Sequence, residues 1–426
     1  MRNKPLEITL TIDQIGAGGD GVGAYNGKSV YIAKTAPGES VRVRLENENA
    51  EGFTGRLLSI DTPGFERVNA PCPHFSRCGG CALQHVREKF YRNWKTEKVK
   101  SALQRANVSV AQEEGPVFLQ AATRRRTTLA VFKNGNDIRF GYNEPRTRNI
   151  LDIKTCLILE PALAEKIQAL RPYLPALVPA RKTVDLMLQY ADGAFDMVLS
   201  GPWRTKGEFT LEQLETFADM TEKLDIARIS VREKEFSMPE TMFTRRPVIK
   251  RFGALNVALP PGAFLQASVA GEEVLTRIVA GHIGNNSSVV DLFSGCGTFT
   301  GTLLEKGMQA HAVDGDAEAI KALAATRHPK LTTARRNLFK EPLSVKDLQK
   351  FDAAVFDPPR AGAKAQAEIL AQSNISRIIG VSCNPASFAR DARILQNGGY
   401  SLQSLTMIDQ FVWSAHVEII GLFLKK

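Results

Sequence analysis

The part of the chain after about residue 260 alternates strand and helix patterns, and this alternation constrains the fold more than any other feature. Apolar strand segments recur in SSVVDLF, QAHAVDGD, FDAAVFDPP and RIIGVSCNP, and helix patterns follow them. Such alternation predicts an α/β fold with a doubly wound, Rossmann-like sheet. The carboxyl ends of parallel strands meet at one edge, where ligands bind in this architecture. We therefore expect Asp291, Asp314, Asp357 and Cys383 at that edge.

The first of these strands and its glycine turn predict a cofactor that contains adenosine. VVDLFSGCGTF (289–299) has a buried strand, a turn at Gly295 and Gly297, and the start of a helix. Asp314 follows about twenty residues later, where such sheets place a carboxylate on a ribose hydroxyl. The loop lacks the third glycine of the dinucleotide fingerprint, and Asp291 would repel a pyrophosphate. These features favour S-adenosylmethionine, which has no pyrophosphate, over NAD.

VSCNPASFARD (381–391) places Cys383 at a strand end, just before a helix. A cysteine there is often only a buried core residue. A thiolate at a helix amino terminus would have a lowered pKa and act as a nucleophile. A methyltransferase needs such a group for a poor carbon nucleophile such as uracil carbon 5, and it then needs a base. HVEII (416–420) offers Glu418, whose pKa a dry site would raise, and His416 as a core or orienting residue.

Three cysteines lie close together in PCPHFSRCGGCALQH (71–85), at Cys72, Cys78 and Cys81. Cys156 is the best placed of the remaining cysteines to complete a set of four. Zinc sites built from four cysteines usually have two close pairs, whereas three clustered cysteines and one distant partner favour iron–sulfur spacing. Zinc and an iron–sulfur cluster both remain open on spacing alone.

The amino-terminal residues and the charge distribution both indicate an RNA partner. Short alternating strands in residues 6–60, with GAGGDGVG (16–23) interpreted as a tight loop between strands, predict a small β-barrel of the oligonucleotide-binding type. The net charge of +10 is concentrated in residues 72–105 and 121–150, which carry +6 and +5. The sequence has no apolar run long enough for a bilayer span and no secretory signal pattern, so we expect a cytoplasmic protein with no membrane partner.

DLFSGCGTF, DPPRAG, SCNPA and HVE, in this order, resemble the S-adenosylmethionine-dependent RNA uracil-5-methyltransferases. Within that family the chain is similar to the bacterial 23S rRNA enzymes that have a TRAM barrel and a [4Fe-4S] cluster. The resemblance covers nearly the whole chain. It implies a TRAM-like OB-fold domain in residues 1–62, an α+β central domain with the cluster in residues 63–255, and a catalytic domain in residues 256–426.

The resemblance also implies roles for individual residues. Cys383 would be the nucleophile and Glu418 the base, and IKTCLIL (153–159) would supply Cys156 as the fourth cluster ligand, which raises [4Fe-4S] above zinc. The implied contacts to the methyl donor are Gln266, Phe293, Asp314, Asn337 and Asp357. Ser268 stands where many members have Asn, Asp314 replaces the more usual Glu, and Cys296 has no family role.

The sequence thus predicts a monomeric enzyme that forms 5-methyluridine in RNA, with 23S rRNA as the favoured substrate. A tRNA uracil-5-methyltransferase is one alternative. A second is an RNA-binding ribosome assembly factor with an inactive methyltransferase domain. The barrel and the cluster argue for ribosomal RNA, and the intact Cys383, Asp357 and Glu418 argue against an inactive protein.

Overall fold

The computed structural model describes residues 6–204, 207–234, 237–285 and 287–426. The chain divides into two compact units, each made of several segments. Unit 1 consists of Met1–Lys98, Tyr142–Thr155 and Phe411–His416; unit 2 consists of Val99–Gly141, Cys156–Gln410 and Val417–Lys426. The domain boundaries expected from the sequence, at residues 62 and 255, stay a prediction.

The strands, in chain order, are β1 (Glu7–Thr11), β2 (Gln14–Ile15), β3 (Gly21–Tyr25), β4 (Lys28–Ile32), β5 (Ser40–Asn49), β6 (Gly52–Thr62), β7 (Val110–Glu113), β8 (Val117–Phe118), β9 (Arg126–Asn134), β10 (Asp137–Asn143), β11 (Ile150–Asp152), β12 (Thr183–Ala191), β13 (Ala194–Ser200), β14 (Ile226–Arg232), β15 (Glu240–Thr244), β16 (Ile249–Phe252), β17 (Leu255–Ala258), β18 (Ser288–Leu292), β19 (Gln309–Asp314), β20 (Leu331–Arg335), β21 (Ala353–Phe356), β22 (Arg377–Ser382), β23 (Tyr400–Asp409) and β24 (Glu418–Lys425).

The α-helices are α1 (Glu88–Arg105), α2 (Pro161–Leu170), α3 (Leu174–Leu177), α4 (Leu211–Lys223), α5 (Val269–Ile283), α6 (Thr298–Glu305), α7 (Ala317–Ala324), α8 (Val345–Leu348), α9 (Lys364–Gln372) and α10 (Pro385–Asn397). A short 3-10 helix, Arg171–Tyr173, lies between α2 and α3. Among the described residues, no helix has the length and apolarity that crossing a membrane requires.

Unit 1 contains a sheet with the strand order β1-β5-β6-β4-β3-β2. Val30, Ile32, Val41 and Val43 are fully buried in its core, as the alternating strand patterns predict. The expectation that residues 16–23 form only a loop is wrong for its second half, because β3 begins at Gly21. A Cβ at Gly21 would lie 2.0 Å from Thr35 Oγ1, so glycine leaves room for the buried Thr35 side chain beside this strand.

The principal sheet of unit 2 has the order β20-β19-β18-β21-β22-β24-β23-β7, and β8 also pairs with β23. The strands from β20 to β22 are parallel, whereas β24 is antiparallel to both β22 and β23. Buried valine, leucine, isoleucine and phenylalanine side chains pack against this sheet. The predicted doubly wound, Rossmann-like sheet is confirmed, and it places the ends of β18, β19, β21 and β22 at one edge.

The strands that unit 2 contributes to a second, seven-stranded sheet follow the order β10-β9-β12-β13-β14-β15, and β16 and β17 form a separate hairpin. Most of its pairs are antiparallel, but β13 and β14 are parallel. Arg228 and Asp196 form a buried ion pair on it, with Arg228 Nε 2.8 Å from Asp196 Oδ1. Mixed strands and helices in residues 99–258 agree with the α+β character expected of the central part of the chain.

Candidate active site

The candidate active site lies in unit 2, at the edge of the principal sheet where its parallel strands end. Asp357 follows β21, Cys383 follows β22, and Glu418 is the first residue of β24. Because β24 is antiparallel to β22, its amino-terminal end lies at the same edge. Ser382 pairs with Ile419, so extending this register by one residue places Cys383 opposite Glu418. The sheet topology thus brings together three side chains that are far apart in sequence.

Both carboxyl groups of the site are buried. Glu418 is only 5% exposed, and burial raises its pKa well above the ordinary value, with the charge of Asp357 raising it further. Burial likewise raises the pKa of Asp357 to about 7. The predicted rise in the pKa of Glu418 is therefore confirmed in direction, and its physical cause is desolvation.

Two glutamine amides connect these carboxyl groups. Gln266 Nε2 donates to Asp357 Oδ2 at 3.3 Å, and Gln410 Nε2 donates to Gln266 Oε1 at 3.0 Å and to Glu418 Oε1 at 3.1 Å. The resemblance named Gln266, but the sequence analysis missed Gln410. Its strand position is the only signal that could have found it: Ile408 pairs with Glu418, so Gln410 lies two residues further along the same face.

The structure corrects the expectation for the Cys383 thiol. Burial raises its pKa to about 11, the charges of Glu418 and Asp357 raise it further, and Arg360 acts in the opposite direction. The following helix does not offset this, because its first turn is already capped. Asn384 Oδ1 accepts from Ala386 N at 3.1 Å, and Pro385 has no N–H. The predicted lowering of the Cys383 pKa by the helix amino terminus is therefore wrong.

The predicted donor contacts lie at three neighbouring strand ends. Phe293 directly follows β18, Asp314 is the last residue of β19, and Asn337 lies two residues after β20. Asp314 Oδ2 accepts from Gly295 N at 2.9 Å, which ties the end of β19 to the glycine turn. Phe293 has a φ of 62°, and its ring centroid lies 5.3 Å from that of Phe339. Asn337 Oδ1 accepts from Phe339 N at 3.1 Å. These contacts bring the three residues to one side of the site.

The glycine turn has the shape of a cofactor cradle. Gly295 has a φ of 53°, and a Cβ there would have no heavy atom within 4 Å, so the turn faces open space beside Asp314. Gly297 has a φ of 97°, and its Cβ would lie 2.6 Å from Leu323 Cδ1. An open backbone turn next to a carboxylate at a strand end fits the adenosine portion of S-adenosylmethionine.

Asp291 has a different place from the one expected. It is fully buried beneath the turn, where Thr300 Oγ1 donates to its Oδ2 at 2.5 Å. Burial raises its pKa to about 7. Asp291 is therefore a buried group held by Thr300, and the argument that it would repel a pyrophosphate stays a prediction.

A buried ion network holds the segment that contains Gln266. Arg125 Nε donates to Gln266 O at 3.0 Å, and Arg125 Nη2 lies 2.5 Å from Glu272 Oε2. Lys250 Nζ lies 3.1 Å from Glu272 Oε1 and 3.0 Å from Asp192 Oδ1. The sequence analysis assigned Arg125 only to a basic window and did not detect this role.

The remaining residues singled out in this region are structural. Ser268, which stands where many family members have Asn, caps α5 by accepting from Gly271 N at 3.0 Å. Cys296 is 5% exposed within the apolar core, and burial raises the pKa of its thiol to about 12. His416 belongs to unit 1, where its ring makes an edge contact with Phe411. Glu418, in contrast, belongs to the same unit as Cys383.

The cysteines of the predicted cluster are divided between the units. Cys72, Cys78 and Cys81 belong to unit 1, which also contains Thr155, and the next residue, Cys156, is assigned to unit 2. Lys34 Nζ donates to Cys78 O at 2.9 Å. Burial lowers the pKa of Lys34, and the nearby thiols of Cys78, Cys81 and Cys72 oppose this.

The predicted cluster is not confirmed by this arrangement. Within residues 6–204, 207–234, 237–285 and 287–426, no three or more His, Cys, Asp or Glu side chains form a group that could hold a metal ion. The thiols of Cys72, Cys78 and Cys81 each act on the pKa of Lys34, which places all three near that side chain.

Comparison with known proteins agrees with the site. Residues 319–426, which include Asn337, Asp357, Cys383 and Glu418, match the family model described as tRNA (Uracil-5-)-methyltransferase. A protein of Brucella suis biovar 1, named as an uncharacterized RNA methyltransferase, is 38% identical over 422 residues, which cover 98% of this chain and 97% of that protein.

Two further matches cover almost the whole length. The 23S rRNA (uracil(1939)-C(5))-methyltransferase RlmD of Pectobacterium atrosepticum is 28% identical over 432 residues, covering 98% of this chain and 93% of that protein. The crystal structure of Pyrococcus abyssi tRNA (uracil-54, C5)-methyltransferase with S-adenosyl-L-homocysteine shares the fold, with a TM-score of 0.76, 21% identity, and coverage of 98% and 99%. The chain therefore belongs to the RNA methyltransferase family of its Brucella relative, and its residues 319–426 carry the match to the tRNA (Uracil-5-)-methyltransferase model.

Proposed function

We propose that this protein forms 5-methyluridine in 23S rRNA, with Cys383 as the nucleophile and Glu418 as the base. The placement of Cys383 opposite Glu418 at the ligand-binding edge of the sheet carries the proposal. Uracil carbon 5 is a poor nucleophile, so the reaction needs a covalent step and a later proton abstraction. The target base has to leave its helix or loop to enter such a site.

The chemistry follows from the two side chains. The Cys383 thiolate adds to carbon 6, and the electron pair of the 5,6 double bond makes carbon 5 nucleophilic. S-adenosylmethionine would supply the electrophilic methyl group that carbon 5 attacks, with its sulfur–methyl bond breaking and S-adenosylhomocysteine as the leaving group. Glu418 then removes the proton from carbon 5, the double bond forms again, and the bond between carbon 6 and sulfur breaks, which returns the thiolate.

The thiol has to lose its proton before the first step. Arg360 lowers the pKa of Cys383, in opposition to burial and to the two carboxylates. The pKa of Asp357 is itself about 7, so its protonation near neutral pH removes one of the charges that raise the thiol pKa. Activation of Cys383 is thus coupled to the charge state of Asp357.

The donor would be held by side chains at neighbouring strand ends. Asp314 lies beside the open turn, where it would contact the ribose, and Phe293 and Asn337 lie at the neighbouring strand ends. On the side of Cys383, Gln266 donates a hydrogen bond of 3.3 Å to Asp357. Gln266, Phe293, Asp314, Asn337 and Asp357 are therefore our proposed contact residues for S-adenosylmethionine.

A basic groove supports RNA as the partner. Along α1, α9 and α10 it is lined by Arg105, Lys364, Arg390 and Arg393, with Glu368 as an opposing charge. Ala386, which also lines it, is only three residues after Cys383. Lys364→Glu should weaken RNA binding and reduce its salt dependence, as expected for a phosphate contact, whereas Lys321→Glu, on the exposed face of α7, serves as the matched control.

The substrate can be tested directly with total RNA from cells that lack the protein. We expect transfer of labelled methyl from S-adenosylmethionine to 23S rRNA, with 5-methyluridine as the product. Transfer to tRNA instead would support the tRNA alternative, which the description of the matched family model favours. Absence of transfer to any RNA would revive the inactive assembly factor.

The nucleophile can be tested with RNA that contains 5-fluorouracil, because fluorine at carbon 5 cannot be removed as a proton. The wild-type protein should form an adduct with this RNA that survives denaturation. An adduct that persists in Cys383→Ala would refute the assignment of the nucleophile.

The [4Fe-4S] cluster on Cys72, Cys78, Cys81 and Cys156 belongs to this proposal on the strength of cysteine spacing and family resemblance alone. Anaerobically purified protein should contain iron and sulfide and show visible absorbance, and Cys78→Ser should lose all three. Zinc in place of iron would contradict the assignment. No catalytic step is assigned to the cluster.

The proposal also includes a TRAM-like OB-fold in residues 1–62, the central domain in residues 63–255, and the catalytic domain in residues 256–426. The six-strand order of unit 1 and its buried valines support an RNA-binding β-domain at the amino terminus. We further propose a cytoplasmic monomer. Light scattering during gel filtration and cell fractionation would test these two points.

A further inference from the structure

Gln410 joins two parts of the candidate site, the proposed base and the proposed donor contact. It follows the end of β23, and its side chain is buried. Its amide nitrogen donates to Glu418 Oε1 at 3.1 Å and to Gln266 Oε1 at 3.0 Å. Gln266 in turn donates to Asp357. A single amide group therefore contacts the residue proposed to abstract the proton and the residue proposed to contact the methyl donor.

The amide oxygen of Gln410, unlike the amide nitrogen, does not contact either of these residues through a hydrogen bond. Gln410 Oε1 is buried, and among the described residues it has no hydrogen-bond partner. An unpaired buried acceptor costs free energy, so a glutamine kept only for stability would be better replaced by an apolar side chain. The neighbouring Gly271 leaves space for the amide, because a Cβ there would lie 2.4 Å from Gln410 Oε1. These observations indicate that the N–H groups of Gln410 are the useful part of the side chain.

We infer that Gln410 is a positioning residue for proton abstraction, and that it holds one oxygen of Glu418 so that the other can accept the proton from carbon 5. This inference rests on the proposed function. An N–H donor stabilises the ionised carboxylate, which is the form that acts as a base. With Oε1 held by Gln410, Oε2 is the oxygen directed to the substrate.

The affected step is defined by its bonds. The bond between carbon 5 and hydrogen breaks, and the proton moves to Glu418. The electron pair forms the 5,6 double bond, and the bond between carbon 6 and Cys383 sulfur breaks with its electrons returning to sulfur. Methyl transfer precedes this step and does not use Glu418. Loss of Gln410 should therefore slow proton abstraction more than methyl transfer.

The test uses the full-length protein in single-turnover reactions with total RNA from cells that lack it, labelled with tritium at uridine carbon 5. Tritium release measures proton abstraction, and radiocarbon from the donor methyl group measures methyl transfer. In the wild-type protein the two should proceed together. In Gln410→Met we expect tritium release to be slower by about 10- to 100-fold, because general-base catalysis contributes about 10²- to 10⁴-fold and mispositioning removes part of it.

The slower step should leave a trapped species. Gln410→Met should accumulate a protein–RNA adduct that already carries the methyl group and survives denaturation. Gln403→Met is the matched control, because Gln403 also lies on β23 but its amide donates to Ser401 Oγ of the same strand, at 2.7 Å. Gln403→Met should behave as the wild-type protein.

The other outcomes are distinct. Equal slowing of tritium release and methyl transfer without an adduct would mean that Gln410 supports folding or donor binding, and the inference would be wrong. Wild-type rates in Gln410→Met would also overturn it while leaving the proposed function intact. If the wild-type protein itself transferred no methyl group and released no tritium, the proposed function would fail, and the inference with it.

Discussion

Arg125→Met is a direct test of the buried ion network that supports the segment of Gln266. Arg125 is fully buried, and its guanidinium pairs with Glu272, which is 7% exposed. Methionine has a similar length but no charge, so the substitution leaves Glu272 with Lys250 as its ion-pair partner. The network lies in unit 2 of a chain that divides into two units, so the measurement has to report on unit 2.

The expected loss in the free energy of unfolding follows from three contributions. Removal of one partner from a buried ion pair costs about 3 to 5 kcal/mol, and the low end applies because Lys250 still neutralises Glu272. The Gln266 carbonyl loses a hydrogen bond from Arg125 Nε, which costs about 1 kcal/mol. Arg125 Nη1 is buried without a partner among the described residues, so its removal returns about 1 kcal/mol. The net loss is about 3 kcal/mol.

Urea unfolding followed by tryptophan fluorescence can measure this value. Trp203 is fully buried in unit 2, and Trp94 and Trp413 belong to unit 1. A background with phenylalanine at both unit 1 positions leaves Trp203 as the remaining tryptophan of the chain. Its fluorescence then reports on unit 2.

Arg139→Met is the control, because Arg139 and its partner Asp137 are both exposed. An exposed pair contributes about 0 to 1 kcal/mol, so this variant should be close to the wild-type protein. If Arg125→Met lost less than about 1 kcal/mol, or no more than Arg139→Met, the reasoning about the buried network would be refuted.

Three further predictions concern the charged groups of the site. Glu418→Gln should trap a methylated protein–RNA adduct on ordinary RNA. Removal of the Glu418 charge should also lower the pKa of Cys383 from about 11, so the midpoint of the pH dependence of thiol alkylation should move to lower pH. An unchanged alkylation profile would contradict this. Burial raises the pKa of Asp291 from 3.8 to about 7, so the free energy of unfolding should fall as pH rises from about 4 to 7. Over that range Asp291→Asn should gain up to about 4 kcal/mol in the free energy of unfolding relative to the wild-type protein. Parallel curves of unfolding free energy against pH for the two proteins would exclude this. Asp314→Ala removes the acceptor for Gly295 N and should raise the dissociation constant for S-adenosylmethionine by about 10- to 100-fold in calorimetry, whereas unchanged affinity would remove Asp314 from the donor site.

The positions of Asp357, Cys383 and Glu418 could be predicted because they depend on one topological rule. Strands patterned as buried and parallel end at a shared edge, and a polar residue directly after such a strand must lie there. The rule needs only the order of apolar segments along the chain. Glu418 required one more fact, that β24 runs antiparallel to β22, and here the family resemblance supplied what periodicity did not.

Arg125 shows why the net charge of a sequence window does not by itself identify an RNA-binding surface. In the sequence it is the middle residue of the run Arg124 to Arg126 and adds to a window of +5. In the structure it is paired with Glu272, which lies 147 positions later. Arg146 similarly pairs with Asp20 within unit 1. Pairing over such distances follows from the tertiary fold, so part of the basic excess that predicted an RNA surface is neutralised by internal ion pairs.

The Cys383 pKa shows how a local rule fails when the site contains competing charges. The rule that a helix amino terminus stabilises a thiolate assumed free N–H groups, but Pro385 has no N–H and the N–H of Ala386 donates to Asn384 Oδ1. Burial and the carboxylates of Glu418 and Asp357 then decide the shift. None of these three causes can be read from the residues adjacent to Cys383.

The same proximity of Cys383 and Glu418 suits the order of the proposed reaction. Two negative charges in one buried site disfavour each other, so the thiolate and the carboxylate are each stabilised when the other is neutral. Addition to carbon 6 converts the thiolate into a neutral thioether, which favours ionised Glu418 when the base is needed. Proton abstraction then neutralises Glu418, which favours the departing thiolate. The repulsion that raises the thiol pKa in the resting protein thus assists both later steps, because the negative charge alternates between the two residues.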